Sequence, residues 1–135
     1  MLTRPGDRRP LLASSGGLAI VARLPPSQQA AVVRVNLEVL EPRGEARLTA
    51  IRTLLARAVE HGHAWSLGEF VPGVHAVASA VSDPQGAVPF ASLALVGAPE
   101  RLPATRLREI AAMLEAEGRS LGGQLHPNVF PLSMS

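Results

Sequence analysis

The sequence predicts an α+β fold in which helices flank an antiparallel β-sheet. Two apolar runs within residues 74–96 are joined by Asp83-Pro84-Gln85-Gly86. Pro at the second position and Gly at the fourth suit a type I turn between two strands. Apolar residues also recur at helical spacing over residues 45–61 and 104–121. A chain of 135 residues holding both kinds of element is most simply one domain.

The composition excludes several classes of protein. An apolar content of 47% argues against intrinsic disorder, and the absence of Cys removes disulfides and thiol chemistry. Residues 1–62 carry 9 Arg and 5 acids, and residues 63–135 carry 4 Arg and 6 acids. Because this excess is dispersed, we expect no direct nucleic-acid binding by this chain. Residues 74–81 are too few to span a bilayer and no signal peptide is evident, so we expect no membrane association and a cytoplasmic location.

The first half of the chain is expected to form a short strand and two helices. The strand covers Arg9 to Ala13. A short apolar helix over LAIVARL follows, with Ser14 or Ser15 as its N-cap. Pro25-Pro26-Ser27 ends that helix and starts a second one that reaches about Leu37, because Pro is tolerated in a first helical turn.

Two longer helices are expected on either side of the strands. The third helix covers Glu45 to His61 and ends at Gly62. Its solvent-facing side is expected to carry Arg47, Arg52 and Arg57. The last helix covers about Ala104 to Leu121, with a stripe of apolar and small residues along one side. Residues 126–135 lack a pattern and are expected to form a flexible tail.

Alternation along the two strands sorts their side chains onto two faces. One face collects bulky residues suited to packing against helices, namely Val77, Val81, Leu93 and Leu95. The other face carries several alanines, which leave volume in front of the sheet. Either a ligand cavity or a close-packed helix fills such a volume, and the residues alone favour neither.

In their order, three blocks of the chain resemble the C-terminal effector-binding domain of IclR-type bacterial transcription regulators. They are RRPLLASSGGLAIVARLP, residues 62–97, and RLPATRLREIAAMLEAEGRSLG. The resemblance covers about residues 5–125 and assigns residues 1–125 to a partial effector-binding domain. It implies a GAF/profilin-like fold, a homo-oligomer, and the sensing of a small-molecule effector. The implied role is ligand-dependent control of transcription through a DNA-binding domain that is not in this chain.

The match to the family is expected to be incomplete at the N-terminus. The winged helix-turn-helix of the family, and the first helix and strands of its effector domain, have no counterpart in the sequence. A sheet that lacks strands exposes an edge, which favours pairing with another chain.

The resemblance also implies an effector site. The segment SSGGLAIVA is similar to a family pattern whose Gly is Gly17, with Leu18 in place of the usual Lys. In the family the N–H groups that open this helix face the polar end of the effector, and here Ser15 and Gly16 would supply them. An ordinary capped helix start explains the same residues.

The rest of the implied pocket is lined from the strands, by Ser66, Ala76, Ala94 and Val96. Family members that bind small carboxylic acids commonly place Asp, Cys or Ser at such positions. Since this chain retains one Ser, we expect a more apolar effector, such as an aromatic carboxylic acid whose carboxylate lies at Ser15 and Gly16. No cofactor is implied. The alternative is an oligomerisation module whose degenerate pocket binds no effector.

Other polar residues have plainer interpretations. His61, His63 and His75 suggest a metal site, but without completing ligands they are better explained as surface histidines. Glu69 is expected to anchor a turn by accepting backbone N–H bonds, and Trp65 to lie half-buried beside the third helix. Ser14 and Ser15 lack a recognisable His and Asp partner, so we expect no enzyme.

Overall fold

The computed structural model describes residues 4–85 and 88–129. It contains four α-helices and a three-stranded antiparallel sheet in the order β1-β2-β3. The strands are β1 Ala64–Leu67, β2 His75–Ser82 and β3 Pro89–Gly97. The helices are α1 Ser15–Ala22, α2 Pro26–Leu40, α3 Glu45–His61 and α4 Leu107–Val129. The predicted α+β fold is confirmed.

The N-terminal segment corrects the predicted strand at Arg9 to Ala13. Residues Leu11–Ala13 form a single turn of 3₁₀ helix, closed by a bond of 3.0 Å from the Ala13 N–H to the Pro10 carbonyl. Pro10 fixes its own φ and has no N–H for a strand ladder. The turn instead directs Leu12 into the core, where its side chain is fully buried.

Of the two predicted N-caps, Ser14 is the one that caps α1, and the helix covers Ser15–Ala22 rather than LAIVARL. The extended Ser14 backbone places its Oγ 3.1 Å from the Gly17 N–H, which satisfies one of the free donors of the first turn. Gly17 is required there by contact, since a Cβ would lie 1.8 Å from the Leu11 carbonyl oxygen. The helix thereby packs directly onto the preceding 3₁₀ turn.

Helix α2 extends to Leu40, three residues beyond the predicted end at Leu37, because no breaking residue precedes Pro42. Helix α3 has the predicted bounds, and Gly62 ends it with φ +81° and an N–H bond of 2.9 Å to the Ala58 carbonyl. Helix α4 starts after a 3₁₀ turn over Ala104–Arg106.

Helix α4 continues to Val129, past the predicted end at Leu121 and through the first four residues of the predicted tail, while residues 130–135 lie outside the described part of the chain. Its glycines allow close packing on β2. A Cβ at Gly118 would lie 3.3 Å from a Val81 methyl, and one at Gly122 would lie 2.4 Å from the Ser82 carbonyl oxygen.

Strand register confirms the predicted pairing of faces. Val77 lies opposite Leu95 and Ala78 opposite Ala94, so bulky and small residues sort onto different sides. The Asp83 N–H donates to the Val88 carbonyl at 3.0 Å, which joins the two strands. The type I turn predicted at residues 83–86 falls partly on Gly86, outside the described residues.

Two packed clusters lie on opposite faces of the sheet. On the bulky face Val77 is fully buried and packs with α4. Leu95 was expected to join that cluster, but it is 47% exposed because β3 is the outer strand and α4 lies mainly over β2. On the small-residue face, Ala64 and Ala78 pack with α1 and α3 in the larger cluster. No helix within the described ranges is long and apolar enough to cross a membrane.

Candidate functional site

A cavity of about 450 Å³ lies on the small-residue face of the sheet, next to the start of α1. Helix α1 covers part of this face so closely that a Cβ at Gly16 would lie 2.8 Å from the Ser92 Oγ. Beyond the helix start the face is uncovered, and there Ala76, Ala94 and Val96 form a wall of the cavity. Both interpretations of the alanine face are therefore realised, a close-packed helix on one part and a cavity on the other.

The structure brings six of the seven predicted site residues together around this cavity. They are Ser15, Gly16, Ser66, Ala76, Ala94 and Val96. Gly17 is not among the lining residues, because its N–H is bonded to the Ser14 Oγ and its Cα faces the Leu11 carbonyl. Its place in the pattern is explained by packing rather than by contact with the cavity.

Polar groups gather at the α1 end of the cavity. The buried hydroxyls of Ser15 and Ser66 form a hydrogen bond of 3.0 Å, which links the helix start to β1. Two hydroxyls carry two protons and one such bond uses one of them, so the pair retains an O–H that can be donated. The first bonds of α1 are made by the N–H groups of Gly17 and Leu18, both to Ser14. The N–H groups of Ser15 and Gly16 therefore have no acceptor within the helix.

Arg9 is the cationic side chain in the cavity lining, and the sequence did not point to it. It was assigned to a strand, whereas the 3₁₀ turn at Leu11–Ala13 places it beside the α1 start. Within the described residues its guanidinium forms no ion pair, and Arg9 is exposed. A guanidinium beside free N–H donors makes this end of the cavity suited to an anion.

The loop between β1 and β2 forms the apolar wall, which the sequence also missed. Phe70, Val71 and Val74 line the cavity from this loop. Periodicity does not assign loop residues to a wall, since their position depends on tertiary contacts.

Two arginines of α3 hold that loop in place. Arg47 donates to the carbonyls of Glu69 and Phe70, the latter at 3.2 Å, and Arg57 lies 3.6 Å from the Glu69 carboxylate. The expected role of Glu69 is confirmed, because its carboxylate accepts the Leu67 N–H. The prediction that Arg47 and Arg57 face solvent is wrong. Both are half-buried against the loop and β1, while Arg52 is exposed as predicted.

The histidines do not form a metal site in the described part of the chain, where no group of three His, Cys, Asp or Glu is placed to hold an ion. His75 is half-buried, and its Nδ1 lies 2.7 Å from the Leu102 carbonyl oxygen. His61, His63 and Trp65 form a cluster of three rings, in which the two histidine centroids lie 5.1 and 5.2 Å from that of Trp65 and 6.2 Å from each other. Trp65 is half-buried beside α3, as expected, with the Arg57 guanidinium 4.7 Å from its ring.

Comparison with known proteins agrees with this architecture. Residues 1–122 match the model of a family described as "Bacterial transcriptional regulator IclR C-terminal". The chain belongs to the IclR C-terminal family. The expectation of a regulator domain rather than an enzyme follows from this membership. No curated protein matches the chain.

Solved IclR structures share the fold. The repressor BlcR of Agobacterium tumefaciens matches with a TM-score of 0.69 and 20% identity, over 89% of this chain and 49% of BlcR. HmgR of Pseudomonas aeruginosa is 30% identical, with a TM-score of 0.64, over 90% of this chain and 47% of HmgR. The chain thus spans about half the length of these IclR regulators.

The solved structure of an inducer-binding domain also matches. The inducer-binding domain of PobR from Acinetobacter, solved as a double mutant in complex with 3-hydroxybenzoic acid, aligns with a TM-score of 0.63 and 22% identity. The alignment covers 88% of this chain and 69% of that domain. This likeness shows the fold of the chain.

Proposed function

We propose that this IclR-type domain senses a small carboxylic acid with an apolar or aromatic body, bound in the cavity beside α1. In a regulator that also carries a DNA-binding domain, the bound acid would control transcription. One observation carries the proposal. Anion-binding groups and apolar groups line the same cavity of about 450 Å³, a volume within the range of ligand sites.

The polar end suits a carboxylate. Its hydrogen-bond donors are the N–H groups of Ser15 and Gly16, the spare hydroxyl proton of the Ser15–Ser66 pair and the Arg9 guanidinium. No carboxylate is among the lining residues. A helix N-terminus adds partial positive charge to this set. The ligand's carboxylate would accept from these donors.

The other end suits a hydrocarbon body. The apolar side chains of the lining are Phe70, Val71 and Val74 from the loop and Ala94 and Val96 from β3. Such a wall gains by burying an aromatic ring but cannot recognise additional hydroxyl groups. The ligand of the PobR domain, an aromatic acid, belongs to the class that this argument favours.

Thermal unfolding with a panel of acids tests the proposal. We expect benzoate, 3-hydroxybenzoate or phenylacetate to raise Tm, whereas benzamide, which lacks the charge, should not. A ligand at a concentration one hundred times its Kd raises the free energy of unfolding by about 2.7 kcal/mol. For a domain of this size, that raises Tm by several degrees.

Two variants at one position locate the site. Ala94 is exposed on the cavity wall, so Ala94→Phe should fill the space without disturbing the core and remove the part of the ligand-induced rise in Tm that comes from this cavity. Ala94→Ser adds only a hydroxyl and should retain the ligand-induced rise in Tm. A rise that is the same in Ala94→Phe would place the ligand elsewhere.

The alternative remains an oligomerisation module whose pocket binds nothing. It would be favoured if no acid in the panel changed Tm while the chain still self-associated.

A further inference from the structure

A second, smaller pocket of about 180 Å³ lies on the opposite face of the sheet, between the end of α3, strand β1 and the start of α4. Its floor is apolar and includes Trp65, Leu67 and Leu107. Its rim carries His61, His63 and Arg108. The effector cavity proposed above accounts for none of these residues.

The charges around this pocket are mostly unbalanced. Arg108 forms no ion pair with any described carboxylate, and the rim itself contains no acid. Two acids on the helices that flank the pocket are already engaged. Glu115 lies 3.6 Å from both Arg23 and Arg119, and Glu60 lies 3.9 Å from His61.

The aromatic groups give the pocket a defined shape. Trp65 lies against both histidine rings, with centroid distances of 5.1 and 5.2 Å. The Arg57 guanidinium lies over the indole at 4.7 Å while paired with Glu69, so it fixes the position of the ring and adds little net charge. An apolar floor beneath a basic rim is complementary to a molecule with an apolar body and one negative group.

We propose that this pocket is a second ligand site, which binds a small amphiphilic carboxylate through Arg108 and the two histidines with its apolar part on Trp65, Leu67 and Leu107. The volume equals that of about six water molecules in the liquid, so the ligand is limited to the size of propionate or benzoate. The inference does not depend on the cavity beside α1.

The protonation of His63 supports this assignment. Its pKa is lowered first by burial, then by the charge of His61 and less by Arg108, while a hydrogen bond with the His61 backbone and the charge of Glu115 oppose the lowering. The imidazole is therefore mostly neutral near pH 7 when the pocket is empty. A bound carboxylate would favour the protonated ring, and by linkage a lower pH would strengthen binding.

Trp65 is the single Trp of the chain, so its fluorescence reports on this pocket directly. The test is a titration of the protein with sodium benzoate in the millimolar range at constant ionic strength, with benzamide as the uncharged control. We expect a saturable change in emission with benzoate and none with benzamide. The apparent Kd should fall as pH is lowered from about 7.5 to about 6, through the range where His titrates.

Variants assign the signal to the pocket. Arg108→Gln should raise the Kd by about tenfold or more, because a hydrogen bond between charged groups is lost. Arg106→Gln, an exposed Arg on the preceding turn that pairs with Glu109, should leave the Kd unchanged. His63→Ala should remove most of the pH dependence. Circular dichroism confirms the fold of each variant.

The cavity variant separates this proposal from the effector site. Ala94→Phe, on the other face of the sheet, should leave the titration unchanged, whatever its effect on the thermal shifts. The second site is disproved if benzoate gives no saturable change, if Arg108→Gln leaves the Kd unaltered, or if Ala94→Phe abolishes the signal.

Discussion

Gly122 lies where α4 crosses the end of β2, and its lack of a side chain sets the distance between them. A Cβ at this position would stand 2.4 Å from the Ser82 carbonyl oxygen, a backbone atom that cannot rotate away. The helix would have to shift outward and loosen its contact with Val81. The next residue, Gly123, has nothing within 4 Å of such a Cβ.

The two glycines therefore form a matched pair for mutation. Gly122→Ala should lower the free energy of unfolding by about 1–3 kcal/mol, the usual cost of overpacking. Gly123→Ala should raise it by as much as about 1 kcal/mol, since Ala is the better helix former. The urea denaturation midpoints of the two variants compare their stabilities. Equal effects at both positions would show that the close approach to Ser82 does not limit the packing of α4.

At the residue scale, the sequence identified positions whose role is decided by near neighbours in the chain. Ser14 was predicted as one of two candidate caps and Gly62 as a helix end, because both motifs lie within four residues of their partners. Arg9 and Arg47 could not be placed in this way. Their roles depend on the 3₁₀ turn before α1 and on the β1–β2 loop, which is 22 residues from Arg47 at Glu69.

Helix α3 and the β1–β2 loop act as one element of the proposed effector site. Arg47 donates to two loop carbonyls, and Phe70, one of the two acceptors, lines the cavity. Arg52, five residues along the same helix, is exposed. The helix thus positions the apolar wall through a side chain that the helical pattern had assigned to solvent.

We expect Arg47→Ala to destabilise the domain by about 1–3 kcal/mol, because two partly buried carbonyls lose their donor. The variant should also weaken any ligand-induced rise in Tm, since the loop wall is no longer held. Arg52→Ala should change stability by less than about 0.5 kcal/mol. Urea unfolding measures both, and a loss in Arg47→Ala no greater than that in Arg52→Ala would refute the anchoring role.

At the element scale, α3 and the pairing of β2 with β3 were predictable. In each, apolar residues recur with a clear period, and a turn or Gly residue nearby in the sequence marks where the element ends. The prediction of a strand at Arg9 to Ala13 was wrong, since a segment of five residues is too short to show a period and Pro10 favours a turn. The helix end at Leu37 was placed too early because no breaking residue precedes Pro42. The end at Leu121 was placed too early because Gly122 and Gly123 continue the helix, and Gly122 serves its close packing against Ser82. The apolar loop wall depends on long-range contacts that no local pattern reports.

The whole molecule presents an exposed apolar edge. Strand β3 is the outer strand on one side of the described sheet, and Val88, Leu95 and Val96 are 49, 47 and 63% exposed. Unpaired strand edges with exposed apolar side chains favour association with another chain. The predicted self-association therefore has a definite candidate surface.

We expect the chain to self-associate at tens of micromolar, which corresponds to a free energy of association of about −6 kcal/mol or stronger. Leu95→Lys should shift the mass measured by light scattering toward the monomer, because it places a charge on the strand edge. Met113→Lys, at an α4 residue that is 59% exposed, should have no such effect. A monomeric wild-type chain would rule out the association, and equal effects of the two substitutions would place it on another surface.

Strand β1 separates the cavity beside α1 from the smaller pocket that contains Trp65. Ser66 belongs to the wall of the larger cavity and Trp65, its neighbour in the chain, to the wall of the smaller pocket. A ligand on one side that displaces this strand must alter the geometry offered on the other side. Thermodynamic reciprocity then requires each occupant to change the affinity of the other by the same factor. The Trp65 titration, repeated with the larger cavity saturated, would measure that factor directly.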